Sequence, residues 1–175
     1  PTAALAGLKM KGYAQNIAIR PFLDYIPRTA TNPEKGFVGS PYVPDPSKRT
    51  RTTIYPTALA RYCNSYCNED LPCADISGYS IELLRQELLA GNGIVAYMTL
   101  KWEKPYYRTF LIEGMNQRLV SNNHAVLVCG YDPNRGYFIS DPYNNQKRNQ
   151  VYQYWENAKT FENIWNERRV GMVIR

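Results

Sequence analysis

Between His124 and Asp141 the chain reads HAVLVCGYDPNRGYFISD, two short apolar runs, Ala125–Cys129 and Tyr137–Ser140, on either side of Tyr131-Asp132-Pro133-Asn134-Arg135-Gly136. Runs rich in β-branched and aromatic residues suit strands. The Asp, Pro, Asn and Gly between them supply turn chemistry, so the two runs are expected to pair antiparallel as a hairpin. Equal hairpin arms then bring His124 and Asp141 to the same end of the sheet.

Other runs of the same kind lie at Ile94–Leu100, Tyr106–Ile112 and Val170–Ile174. The first half has a different period. Thr2–Lys11 places Ala4, Leu5, Leu8 and the aliphatic part of Lys9 at helical spacing, with Pro1 suited to the first helical position and Gly12 to the stop. A second helix is expected from Pro56 to about Tyr66. A third follows Ser80 as N-cap, with Leu83, Leu84 and Leu88 inward and Gly91 as stop, and another spans about Asn157–Trp165. From Pro21 to Pro56 the chain is rich in Pro, Gly, Thr, Ser and Asn, which predicts a long ordered loop. Helices first and an antiparallel sheet later make an α+β domain. At 175 residues a single domain, 1–175, is the expectation.

Composition excludes two classes. With 44% hydrophobic and 21% charged residues the chain has enough apolar side chains to build a core, which excludes bulk disorder. No apolar run approaches the ~20 residues that span a bilayer, so no membrane span is expected. The net charge of +6 comes from scattered basic residues, locally dense only at Lys48-Arg49, Arg51, Lys147-Arg148 and Arg168-Arg169. A nucleic-acid binder shows a basic stripe or helix face instead, so no nucleic-acid partner is expected.

There is one histidine, His124. A carboxylate beside one imidazole nitrogen fixes the tautomer and stabilises the imidazolium, so His124 with Asp141 forms the base and orienter of a nucleophilic triad. The four cysteines offer no evident nucleophile. Cys129 lies five residues beyond His124 on the same strand and so faces the other side of the sheet. Cys63, Cys67 and Cys73 follow C-x3-C-x5-C, compatible with a local disulfide, a metal site or three separate thiols; the spacing matches no common zinc pattern. Neither cofactor nor catalytic metal is expected.

The order of a first helix, an FVGSPY-containing loop, the run GNGIV, then HAVLVCGYD and YFISDPY resembles papain-fold cysteine peptidases akin to bacteriocin-leader-processing (double-glycine) peptidase domains, over nearly the whole chain. The resemblance implies a bacterial, secreted or cell-surface hydrolase acting on a peptide or protein substrate, with His124 as general base and Asp141 as its orienter. It also implies a nucleophilic cysteine at the start of the first helix, just upstream of Pro1, so the domain is expected to be truncated just before that helix. The alternative is a non-catalytic module on the same fold that holds a peptide or cell-wall partner through the Pro21–Pro56 segment and the tyrosines.

Overall fold

The computed structural model describes residues 1–42, 51–68, 71–143 and 152–175. The basic pairs Lys48-Arg49 and Lys147-Arg148 and part of the Pro21–Pro56 segment lie outside them.

The centre is a six-stranded antiparallel sheet in the order β3-β10-β4-β7-β8-β9. Its strands are β3 (Cys73–Asp75), β4 (Gly93–Thr99), β7 (Asn123–Asp132), β8 (Gly136–Ser140), β9 (Gln153–Glu156) and β10 (Gly171–Ile174). Helices cover both faces. On one side α1 (Thr2–Met10) and α3 (Pro56–Asn64) bury Leu5, Leu8 and Leu59 against Val95, Leu127 and Ile174. On the other, α4 (Ile81–Leu89) and α5 (Ala158–Arg168) bury Leu84, Leu88, Phe161 and Trp165 against Ile94, Val126, Val128 and Ile139. Because both faces are covered, β4 is buried at every residue. It therefore reads as a continuous apolar run rather than an alternating one. The expected α+β architecture, with N-terminal helices packed on an antiparallel sheet, is the one observed. No helix among the described residues is long and apolar enough to cross a membrane.

Several elements depart from the expectations. Helix α1 begins at Thr2, so Pro1 is its N-cap rather than its first helical residue, and no side chain caps it. Ser80 does cap α4, its Oγ accepting from the Leu83 amide. The helix turns Ile81, Leu84 and Leu88 inward and leaves Leu83 exposed, because the i, i+3, i+7 set is the one that reaches the sheet. The proline-rich segment is more than a loop. It opens with α2 (Ile19–Asp24), which buries Phe22, and includes a parallel two-residue pair of β1 (Arg28–Thr29) with β2 (Phe37–Val38). Val38 then bridges Thr53. Strands β5 (Tyr107–Ile112) and β6 (Met115–Val120) form a separate antiparallel hairpin.

Helix α1 sits close on the sheet. A Cβ built on Gly7 would lie 2.6 Å from Ile174 Cδ1 and 3.0 Å from Leu127 Cδ1, so glycine there permits the close approach that sets the height of the helix.

Candidate active site

Strands β7 and β8 pair with Asp132 opposite Gly136 and Tyr131 opposite Tyr137, but beyond Cys129 the register shifts, giving Val128 opposite Ile139 and Leu127 opposite Ser140. That bulge decides where Asp141 points. Extending the shifted register places Asp141 opposite Val126, on the face that His124 also takes; without the extra residue Asp141 would stand opposite Leu127, on the other face. Equal arms alone would have separated the pair. Cys129, at the bulge, packs into the core on the α1 side of the sheet and does not line the cavity at His124.

The result is a short contact. His124 Nε2 lies 2.6 Å from Asp141 Oδ1, with both side chains largely buried. The Tyr143 amide also donates to Oδ1, at 2.8 Å, and the Tyr154 hydroxyl donates to Oδ2, at 3.1 Å. Burial by itself would raise the Asp141 carboxyl, but the hydrogen bond and charge of His124, the Tyr143 amide and the Tyr154 hydroxyl outweigh it and hold it below the usual Asp value. A carboxylate at Nε2 keeps the proton on that nitrogen, which leaves Nδ1 with a bare lone pair as the basic site. No described residue hydrogen-bonds Nδ1.

A cavity of about 200 Å³ opens at this end of the sheet. His124 lines it together with Pro1, Thr2 and Ala3 at the start of α1. The first amides of a helix have no intrahelical acceptor and carry its positive end, so this wall of the cavity favours negative charge. The far wall is Phe37, Thr53 and Ile54. The Tyr97 hydroxyl holds Ile54 through its carbonyl at 2.6 Å. Arg51 holds the same segment to the β5–β6 hairpin, donating to the Val120 carbonyl and the Tyr55 hydroxyl at 2.5 and 2.7 Å.

A second polar chain flanks His124. Arg168 donates to Asn123 Oδ1 at 2.6 Å and to the Met98 carbonyl, which turns the Asn123 amide nitrogen towards Thr53 Oγ1 at 3.2 Å. Arg168 stood out in the sequence only as part of a basic pair, and Asn123, Thr53 and Tyr154 did not stand out. Tyr154 follows a segment of mixed polar residues, and only the short alternation of QYWE before the last helix marks its strand.

None of the cavity-lining residues is a cysteine. All four cysteines are unpaired thiols. Cys63, Cys67 and Cys73 gather beside α3, where burial and Cys73 push Cys67 up to about 12, and the Cys63 contact followed by burial raises Cys73. Burial also raises Cys129. Raised thiols are poor nucleophiles at neutral pH.

The sequence profile of the Peptidase C39-like family matches residues 1–171. The chain belongs to the Peptidase C39-like family. The crystal structure of a C39-like peptidase from Bacillus anthracis superposes with a TM-score of 0.76 at 19% identity, covering 99% of this chain and 86% of that one. At that identity the likeness concerns the fold, which is the papain-like arrangement of helices and antiparallel sheet. No curated protein matches the chain. Membership of the C39-like family points to a cysteine-peptidase type of function.

Proposed function

We propose that this domain hydrolyses peptide amides through a thiolate, with His124 as general base and Asp141 as its orienter. The nucleophilic sulfur in this reading belongs to a cysteine a residue or two upstream of Pro1, near the positive end of α1. The observation that carries the proposal is a conjunction: His124 bonds Asp141 through Nε2, and its ring shares a cavity with the start of α1. The family membership supports the same chemistry, and family resemblance favours action outside the cell or at its surface.

In the proposed sequence His124 Nδ1 takes the thiol proton and the sulfur attacks the amide carbon. The imidazolium returns its proton to the departing amine as the tetrahedral species collapses to a thioester. Water then enters, losing a proton to Nδ1 as its oxygen attacks, and the thiol is restored as the acid leaves. Asp141 stabilises the imidazolium in both halves without taking a proton. Thr53 and Ile54, held in place from behind, form the wall along which a peptide would lie.

Incubating the full-length protein with a peptide library in reducing buffer tests this. Cleavage that is abolished both by iodoacetamide and by His124→Ala is the expected result. Peptides that bind and are never cleaved, or cleavage that persists in His124→Ala, would overturn it.

A further inference from the structure

Asp141 presents two oxygens, and the described residues treat them differently. Oδ1 takes the imidazole and the Tyr143 amide, whereas Oδ2 takes only the Tyr154 hydroxyl. Behind that hydroxyl stands Trp102, whose indole Nε1 lies 3.0 Å from Tyr154 Oη. An indole nitrogen donates and never accepts, so Tyr154 Oη is the acceptor there and its own hydrogen is left for Asp141. The chain has one direction: Trp102 N–H to Tyr154 O–H, to Asp141, with the imidazole N–H arriving from the other side.

Trp102 is held there by an unusual piece of backbone. After β4, Lys101 and Trp102 both have φ of 59°, two successive non-glycine residues in the left-handed region. L side chains disfavour that conformation, which persists only where surrounding contacts impose it. Thr99 Oγ1 closes the turn on the Glu103 carbonyl, and the indole leans on the Phe161 ring with centroids 6.1 Å apart. The strained turn therefore aims a donor at the hydroxyl behind the carboxylate.

We infer that Tyr154 is a positioning residue for His124, acting through Asp141, and that Trp102 fixes the direction in which Tyr154 donates. Without the hydroxyl, Oδ2 is buried unsatisfied and the carboxylate is free to rotate, which loosens its grip on Nε2 and with it the bare-lone-pair state of Nδ1. Burial and the charge of Asp141 push the Tyr154 hydroxyl above its usual value, so it remains a donor throughout the neutral range. The role assigned to the imidazole rests on the proposed hydrolase, but the hydrogen-bond chain does not.

His124 is the only histidine of residues 1–175, and the ring signals lost from the nitrogen-15 NMR spectrum of the full-length protein in His124→Ala identify it. Wild type should show a single tautomer with the proton on Nε2 and a slowly exchanging Nε2–H. Tyr154→Phe keeps the ring and should exchange that proton about tenfold faster, with the ring nitrogens shifting towards a mixture of tautomers. Should that variant not fold, Trp102→Phe carries the test, with exchange faster by roughly threefold. Backbone amide exchange along β7 serves as the control and should not move. Ring signals and Nε2–H exchange identical to wild type in a folded variant would overturn the inference. A protein with no thiol reactivity would defeat the hydrolase reading alone, since the histidine spectrum decides this one.

Discussion

Asp141 is ionised and largely buried, and the groups around it make that tolerable: an imidazole and an amide on one oxygen, a phenol on the other. Its carboxyl ionises at lower pH in the folded protein than in the unfolded chain. The stability this contributes is complete above the ordinary Asp value near 3.9 and is lost as the pH falls through the lower folded value. Urea midpoints followed from pH 6 to pH 2 should therefore fall more steeply for wild type than for Asp141→Asn at the acid end; parallel curves would contradict the assignment. At neutral pH the same substitution should cost about 1–3 kcal/mol, since it removes a charge-assisted bond. The contact of His124 with Asp141 was legible in the sequence because turn residues between two apolar runs bring a strand start and the end of the returning strand to the same end of the sheet. Tyr154 and Trp102 were not, because their importance depends on a strained turn and on a strand across the sheet, neither of which leaves a local pattern.

The hairpin of β7 and β8 delivers both site residues, and two local features set its geometry. One is the register shift at Cys129, which places Asp141 on the His124 face. The other is Gly136, with φ of +94° and with Glu156 O only 2.1 Å from where a Cβ would sit. A methyl group there meets both a disfavoured backbone conformation and a backbone oxygen that cannot withdraw. Gly136→Ala should cost about 2–4 kcal/mol, read as a fall in Tm on the order of 10 °C; an unchanged Tm would show that the junction of β9 with α5 yields easily. The hairpin was visible in the sequence from turn residues and apolar runs, but the bulge was not, since Cys129 suits either register. Strand β6 (MNQRLV) escaped notice because four of its six residues are exposed or polar and it pairs only with β5. In α4 the leucines at 83, 84, 88 and 89 with Ile81 allow two apolar faces, and only packing on the sheet chooses between them. The proline-rich segment concealed α2 and the β1–β2 pair, elements too short to impose a period.

At the scale of the whole molecule, the sheet is covered on both sides and the cavity lies at the end where β7 begins, beside the start of α1. Close packing at Gly7 and burial of Leu5 and Leu8 fix α1 against β7 and β10, so the positive end of the helix and the imidazole are held by one rigid core. In the proposed reading this arrangement would receive a thiolate, and the four thiols of residues 1–175 lie elsewhere, three of them raised by their surroundings. The account turns on His124 keeping a sulfur at the start of α1 deprotonated. The direct measurement is the rate of iodoacetamide alkylation of the full-length protein at pH 6, mapped by mass spectrometry, for wild type and His124→Ala. A thiol with the ordinary pKa near 8.5 is only ~0.3% ionised at that pH. The account predicts rapid labelling of a cysteine just upstream of Pro1, slowed about a hundredfold by His124→Ala; labelling confined to Cys63, Cys67, Cys73 or Cys129, or indifferent to His124, would contradict it.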